Sequence, residues 1–307
     1  MRIPRIILTI FTLLGLLLIF LSCSTKNEWI PQYDDTGAPV KTFTLPQKIV
    51  SLAPSNTEII YALKLQDSLL GVTDYCNYPR EAANKIHVGG FSTVDIEKTI
   101  SLQPDLVLAA EIHSKSVTPA LEKIGFNVIT LNPKTLSAIL KDIKLVGELT
   151  GKKDQASELN NDLQNRVNAV LNKSKAIPVE QRRRVLLLIW HDPLMVAGNG
   201  TLIDDMIRIS GGNNIAQDIT GHGAISLETI LARDPQVIIA PASMGKPENP
   251  LWNYLNTDTR LKQTSAIKNK CVYQMDGDLV YRFGPRAVQG LEQLSNLIYP
   301  ETSNTVK

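Results

Sequence analysis

The sequence predicts an α/β protein of two Rossmann-like α/β lobes joined by a single long rigid helix, with a ligand cleft between the lobes. Three observations support this fold. Short β-branched runs alternate with helical stretches over residues 47–135, a polar amphipathic stretch occupies 136–175, and the alternation restarts over 176–307. Such alternation is typical of mostly parallel sheets covered by helices. The 307 residues, 43% of them hydrophobic, suffice for two buried cores.

The N-terminal lobe is predicted from buried apolar runs and helix-start signals. Ser55 and Glu58 have the spacing of a capping box, in which each side chain would satisfy a free backbone N–H at the start of a helix. Strands are expected at 49–52, 69–73, 105–109 and 127–131, and helices from the capping box to 63, at 95–102 and at 117–124.

The connector is predicted as two helices, at 136–149 and 153–173. In the second, apolar residues recur at helical spacing among charged and amide residues, so it could span roughly 30 Å as a stiff link. Beyond it we expect strands at 184–189, 237–240 and 271–274, and helices at 202–209, 227–232 and 285–298.

The two lobes share a repeat. Residues 96–109 align without a gap to 227–240, and Glu97 matches Glu228. A helix, a proline break and a buried strand form a common α/β unit. A carboxylate in the first turn of a helix is also favourable for the helix dipole, which alone could explain both glutamates.

The first 22 residues predict a signal peptide. Arg2 and Arg5 precede an apolar run of 16 residues, which is short for a bilayer span. Leu21-Ser22-Cys23 follows and resembles the lipobox of bacterial lipoproteins, so Cys23 is expected to carry a lipid. Ordinary cleavage and an uncleaved anchor are the alternatives, and all three place the body outside the cytoplasm. Residues 23–46 lack regular periodicity and predict a tether.

Charge and cysteine content exclude two classes of protein. The 32 basic residues oppose 30 acidic ones, and the excess lies in the leader, so the body is neutral. A protein that coats a nucleic-acid duplex through many phosphate contacts is therefore excluded. Three cysteines exclude a disulfide framework. Cys76 and Cys271 are expected to be free thiols, although a disulfide between them would clamp the lobes.

Compact catalytic signatures are missing from the sequence. It contains no nucleophile elbow, phosphate loop, zinc-protease motif or Cys-x-x-Cys pair. We therefore predict a binding protein with no catalytic residue, no bound metal and no cofactor. The alternative from another class is a metal-ion binder or metal-dependent enzyme that uses acids beside histidines, namely Glu111, His113, His191 and Asp192.

Aromatic and polar residues collect at predicted strand ends. Ligands of open α/β sheets bind outside the carboxyl ends of the strands, and two facing lobes form a cleft there. Some of these aromatic residues could instead simply bridge core and solvent. The candidate ligand-binding residues are Tyr75, Phe91, Trp190, His191, Asp278, Tyr281 and Arg282.

At these positions the chain resembles the helical-backbone class of substrate-binding proteins, which serve ABC importers of cobalamin, siderophores and haem. The resemblance covers roughly residues 48–300. It is carried by the runs at 49–58, 71–79, 104–107, 210–214 and 282–286, where the last reads Arg-Phe-Gly-Pro-Arg. The run at 73–79 most resembles the cobalamin binders. The chain departs from them at Phe91 and Ala110, where those proteins have tryptophans.

The resemblance implies a function. It implies a monomeric lipoprotein that captures cobalamin or a related corrinoid, with Tyr75 against the corrin, and delivers it to an ABC permease dimer with its ATPase. It also implies that Glu97 and Glu228, one in each lobe, dock on arginines of the two permease subunits. A ferric-siderophore or haem binder of the same class is the alternative, and a purely structural surface lipoprotein is a third possibility.

Overall fold

A computed structural model describes residues 32–40, 44–242 and 249–300. The predicted signal peptide, Cys23 and the first part of the predicted tether lie outside the described residues. Within the ranges given, no helix combines the length and apolar character that crossing a bilayer requires.

The N-terminal lobe is built on a five-stranded, fully parallel sheet in the order β3-β2-β1-β4-β5. The first strand is buried along its whole length, as its apolar sequence predicts. Its neighbours in register are Leu69 and Leu106, which both pair with Ile49. The strands are β1 (Ile49–Ser51), β2 (Leu69–Val72), β3 (Ile86–His87), β4 (Leu106–Ala110) and β5 (Val128–Leu131), and the helices are α1 (Pro54–Ala62), α2 (Ile96–Ser101) and α3 (Val117–Lys123).

The predicted capping box at the start of α1 is wrong. The helix begins at Pro54 with Ala53 as its N-cap, and no side chain caps it. Proline suits this first position because its missing N–H would have no partner in the helix. Glu58 instead lies inside the protein, where its carboxylate pairs with Arg286.

The connector consists of α4 (Leu136–Leu149) and α5 (Lys153–Lys175), as predicted. The hydroxyl of Thr135 accepts a hydrogen bond from the N–H of Ala138 and caps α4. The buried positions of α5, which include Leu163 and Val167, recur at helical spacing. At 23 residues, this helix is roughly 35 Å long.

The C-terminal lobe contains a mixed sheet in the order β11-β10-β6-β7-β9, and the short β8 pairs with β6. Its strands are β6 (Arg184–His191), β7 (Leu194–Ala197), β8 (Asn213–Asn214), β9 (His222–Ala224), β10 (Val237–Pro241) and β11 (Val272–Met275). Its helices are α6 (Leu202–Ile209), α7 (Leu227–Arg233), α8 (Pro250–Thr257), α9 (Ser265–Lys268), α10 (Asp278–Tyr281) and α11 (Ala287–Ile298). The sequence predicted neither β7 nor β9, which run antiparallel to their neighbours. The pairing with β7 carries β6 on to His191, two residues beyond the prediction.

The repeat has a structural counterpart. In each lobe a short helix leads into a strand at the same place in the sheet. This strand is β4, between β1 and β5, in the N-terminal lobe, and β10, between β6 and β11, in the C-terminal lobe. At equivalent positions between helix and strand, Gln103 and Asp234 both adopt left-handed φ angles, of 48° and 41°. Each directly precedes the proline of its unit. The alignment therefore reflects two equivalent helix-strand units.

The described end of the predicted tether packs on the N-terminal lobe. The N–H of Asp35 donates to the carbonyl of Thr130, and the N–H of Thr130 donates to the carboxylate of Asp34, at 3.1 and 3.0 Å. The N–H of Asn132 donates to Asp35 at 2.7 Å. Residues 33–40 thus cover the open edge of β5 and belong to the folded body.

Candidate functional site

A cavity of about 780 Å³ lies between the lobes. All five parallel strands of the N-terminal lobe contribute residues that lie at or just beyond their carboxyl ends, as open α/β sheets do at ligand sites. From the other lobe, Trp190 lies near the carboxyl end of β6, and Tyr281, Arg282 and Phe283 follow β11 at and just after the end of α10. The lining residues are Pro54, Ser55, Tyr75, Phe91, Ser92, Ala110, Glu111, Ile112, Leu131, Asn132, Pro133, Lys134, Trp190, His222, Pro250, Tyr281, Arg282 and Phe283.

Aromatic side chains stand on both walls. Tyr75 and Phe91 lie on the N-terminal wall, and Trp190, Tyr281 and Phe283 lie on the C-terminal wall. Tyr75 is 54% exposed and Trp190 is 45% exposed, which is unusual for such large apolar surfaces. The cavity therefore presents flat apolar faces to whatever enters it.

His113 holds the segment that carries Phe91. Its Nδ1 accepts a hydrogen bond from the N–H of Ala110, and its Nε2 lies 2.7 Å from the carbonyl of Phe91. Since Nδ1 must accept, Nε2 carries the hydrogen and donates it to that carbonyl. The imidazole also meets the Phe91 ring edge to face, with centroids 5.5 Å apart. Burial lowers the pKa of His113, so this neutral form is maintained.

Two of the predicted ligand-binding residues do not line the cavity. The His191 ring packs between Trp190 and Tyr254 and faces a neighbouring surface groove. Asp278 is buried in α10, and its carboxylate lies 2.9 Å from Nη2 of Arg282. Arg282 itself is on the wall but only 3% exposed. The other four predicted residues, Tyr75, Phe91, Trp190 and Tyr281, are on the wall.

The formal charges on the described walls are compensated within the protein. Glu111 and Lys134 form an ion pair of 2.8 Å, and the hydrogen bond from Lys134 lowers the pKa of Glu111. Arg282 is paired with Asp278. Burial, aided by the charge of Lys134, lowers the pKa of His222 and favours its neutral form.

The sequence did not identify several wall residues as parts of the cleft. Asn132 and Lys134 directly follow β5, so the strand-end rule applied to that strand would have found them. His222 belongs to β9, a three-residue strand with a central glycine, which gives no strand signal of its own.

The alternative metal site does not form. Both ring nitrogens of His113 have partners in the protein, and Glu111 is paired with Lys134. His191 and Asp192 belong to the other lobe. Among the described residues, no three potential metal ligands come together. Cys76 and Cys271 are free thiols, as expected.

Glu97 and Glu228 occupy equivalent, exposed positions. Each is the second residue of its helix, behind a side-chain N-cap: Asp95 accepts from the N–H of Lys98, and Ser226 accepts from the N–H of Thr229. Hydrogen bonds from its own N–H and from the Ser226 hydroxyl lower the pKa of Glu228. Both carboxylates thus reach solvent from matching elements of the two lobes.

Two α/β lobes, a helical connector and an aromatic cleft at the strand ends define a solute-binding protein. A family model described as periplasmic binding protein matches residues 49–279. The chain belongs to this family of substrate-binding proteins, which are not enzymes.

Three similar proteins represent the relatives. An uncharacterized ABC transporter substrate-binding lipoprotein of Bacillus subtilis, YvrC, is 34% identical over 265 residues, which cover 84% of this chain and 81% of that protein. The crystal structure of the periplasmic vitamin B12-binding protein of Vibrio cholerae is 26% identical, covers 82% and 96% of the two chains, and has a TM-score of 0.71. A periplasmic haem-binding protein from Pseudomonas aeruginosa is 27% identical, covers 84% and 94%, and has a TM-score of 0.74. The two-lobed fold and the class of binding protein are confirmed.

Proposed function

We propose that the protein captures a corrinoid, cobalamin or a related compound, outside the cytoplasm and delivers it to the permease dimer of an ABC importer. Its relatives include a B. subtilis protein named for an ABC transporter and a V. cholerae protein named for vitamin B12. These relatives support the transport role, whereas the choice of ligand depends on the cleft.

The observation that carries the ligand proposal is the compensated charge of the cleft. Haem brings two carboxylates, and many ferric siderophores are anionic, so each would need cationic side chains that are not already paired. A corrinoid has amide-bearing arms and little net charge. Lys134 and Arg282, the two cationic side chains on the described walls, already have carboxylate partners within 2.9 Å. A nearly neutral ligand therefore suits this cleft best.

The remaining surface of the cleft suits the same ligand. The exposed faces of Tyr75 and Trp190 offer apolar contact to a flat macrocycle. Ser55, Ser92 and Asn132 lie among them and offer hydrogen bonds to peripheral amides. The volume of about 780 Å³ is near the upper end of small-molecule sites.

Calorimetry tests this proposal directly. The chain from residue 24 onward is titrated with cyanocobalamin, with its truncated precursor cobinamide, with haemin and with a ferric tris-catecholate siderophore, which is anionic. We expect saturable one-to-one binding of a corrinoid and at least tenfold weaker binding of the anionic probes. Binding of haemin or the siderophore with no heat from either corrinoid would refute the ligand assignment and leave the family intact.

One observation favours haem or a ferric chelate as the second candidate. The phenol of Tyr75 is half exposed on the wall, and a tyrosine oxygen can ligate ferric iron. The same titration separates the candidates. In addition, Tyr75→Phe should abolish iron coordination but leave corrinoid affinity within about twofold, because the aromatic face remains.

We further propose that Glu97 and Glu228 dock the protein on the permease. Their equivalent, solvent-exposed positions fit a pseudo-twofold protein that meets a twofold membrane dimer. The double variant Glu97→Ala/Glu228→Ala should stop uptake of labelled ligand by cells while calorimetric affinity stays unchanged. A matched control replaces one other exposed glutamate per lobe, Glu122 and Glu180. Normal uptake with the docking variant would refute this role.

We also propose that Cys23 anchors the protein to the outer face of the membrane. The lipobox-like Leu21-Ser22-Cys23 supports this, and the B. subtilis relative is named a lipoprotein. Metabolic labelling with an alkyne fatty acid should mark the wild type but not Cys23→Ala. Equal labelling of both would refute the anchor.

A further inference from the structure

A cluster of charged residues crosses from one lobe to the other beside the cleft. Glu58 comes from α1 of the N-terminal lobe, and Arg282 and Arg286 come from the segment between α10 and α11. Nη2 of Arg286 donates to Oε1 of Glu58 at 2.6 Å, and Nη1 of Arg282 lies 3.8 Å from the same oxygen. Asp278 supplies a second carboxylate, 2.9 Å from Arg282. Two carboxylates and two guanidinium groups balance to zero net charge.

The same two arginines hold the segment that carries Tyr75. Nη1 of Arg282 donates to Oδ1 of Asn77 at 2.7 Å. The guanidinium carbon of Arg286 lies 3.8 Å from the centre of the Tyr78 ring, well within the range of a cation–π contact. Both partners follow Tyr75 by no more than three residues. The place of Tyr75 on one wall is therefore tied to arginines of the opposite lobe.

The cluster is dry, which makes it resistant to opening. Glu58 and Arg282 are each 3% exposed. If the lobes parted here, Glu58 would lose the guanidinium groups that neutralise it. Until water enters the gap, each charge would remain buried without its partner, and that state is strongly disfavoured, so the pairs oppose a small separation of their elements. Gly284 brings the backbones close as well, because a Cβ there would meet the carbonyl oxygen of Ser55 at 3.1 Å.

The long helix cannot fix the cleft width by itself. Long helices commonly curve gently, and a bend of about 10° at one end of its roughly 35 Å displaces the far end by about 6 Å. Such a displacement is as large as the separation of stacked aromatic rings. A second connection is needed if the two walls are to stay at one distance without ligand.

We propose that Glu58, Arg282 and Arg286 are positioning residues, which form an interlobe clamp that sets the cleft width and the place of Tyr75 before any ligand binds. The cost of ordering the two walls is then met in folding and not in binding, which is the usual advantage of a preorganised site. This role goes beyond the transport function and does not depend on which ligand is carried.

Two measurements on the full chain without ligand test the clamp. The first is the distance between two spin labels, attached to the variants Lys115→Cys and Thr220→Cys. Both positions are exposed and lie near cavity residues, one in each lobe. The labelled chain also carries Cys23→Ser and Cys271→Ser. The second is hydrogen–deuterium exchange of the amides at 74–77, which are hydrogen-bonded within their own lobe at Asp74, Cys76 and Asn77. Neither measurement needs a bound probe, so failure of the ligand proposal leaves this test intact.

The decisive variant is Glu58→Gln/Arg286→Gln, which removes one charge of each sign and leaves no uncompensated charge. We expect the distance distribution to broaden or shift by several ångströms, of the order that a small bend of the helix produces. Exchange at 74–77 should accelerate about tenfold or more. The matched control is Arg166→Gln/Glu292→Gln. It removes an ion pair between α5 and α11, in which Nη2 of Arg166 lies 2.7 Å from Oε2 of Glu292, and it should change neither measurement.

Each other outcome overturns the clamp. A folded double variant with the wild-type distance distribution would show that the cluster does not set the width. An unfolded double variant would show that the cluster is a requirement of folding instead. Arg286→Lys adds a further check, because lysine keeps the charge but not the planar stacking on Tyr78. Arg286→Lys should accelerate amide exchange at 74–77 and change the distance between the lobes little.

Discussion

Tyr75→Ala provides a quantitative test of the cleft. Tyr75 is 54% exposed on the cavity wall. If the whole residue offers about 200 Å², roughly 110 Å² is available to a ligand, and alanine would retain about a quarter of that. The loss of about 80 Å² at roughly 25 cal/mol per Å² is about 2 kcal/mol, or a factor of about 30 in Kd. Calorimetry with cyanocobalamin would measure this difference.

Tyr33→Ala is the matched control, since Tyr33 is also 54% exposed but does not line the cavity. We expect its Kd to equal that of the wild type. The reasoning is refuted if Tyr75→Ala binds cyanocobalamin within twofold of the wild type, or if Tyr33→Ala weakens binding as much. Either result would mean that the exposed ring on the wall is not a ligand contact.

Three further predictions concern stability. Burial lowers the folded-state pKa of His113 below its ordinary 6.5. The unfolded chain therefore takes up the proton first, and the free energy of unfolding should fall as pH drops below about 6.5. This fall should be less steep in His113→Gln. Urea titrations that give the same pH dependence for both proteins would contradict this. Burial raises the pKa of Asp142 from 3.8 to about 8. The stability that protonated Asp142 contributes is therefore present at low pH and is lost as the pH rises from 3.8 to about 8. Asp142→Asn should thus raise the melting temperature at pH 8 but not at pH 4, and no gain at pH 8 would refute the assignment. Gly290→Ala should lower the free energy of unfolding in urea by about 1–3 kcal/mol, because its Cβ would lie 2.3 Å from the carbonyl oxygen of Leu279. The control Gln289→Ala, at an exposed position of the same helix, should change this free energy little. Similar effects of the two substitutions would contradict the contact.

The elements that the sequence predicted well are those whose signals are local. β1 and β10 are buried throughout and β4 is buried as far as Ala109, so their continuous apolar runs mark them as central strands. Asp95 and Ser226 cap the helices that follow them through their own side chains. The boundaries of these elements agree with the prediction to within a residue or two, because the residues that define them are adjacent in the chain.

The failures concern which partner a side chain takes and which way it faces. Glu58 has the spacing of a capping residue, but its partner Arg286 lies 228 positions further along the chain. Trp190 and His191 are neighbours on β6, and successive strand residues face opposite sides, so only one of them could reach the cavity. The sequence contains no signal for which one does. Asp278 was expected to meet the ligand because it follows a predicted strand, yet its carboxylate pairs with Arg282, one helical turn further on.

The segment at 33–40 determines how the open edge of the N-terminal sheet is covered. β5 is an edge strand, and an edge strand with free N–H and C=O groups can recruit another chain. The backbone N–H of Asp35 and the carboxylates of Asp34 and Asp35 form hydrogen bonds with the backbone groups of Thr130 and Asn132. A soluble form that began at residue 47 would expose this edge to strand addition and aggregation. The residues that precede the first strand therefore protect an edge of the sheet as well as linking it to the N-terminus.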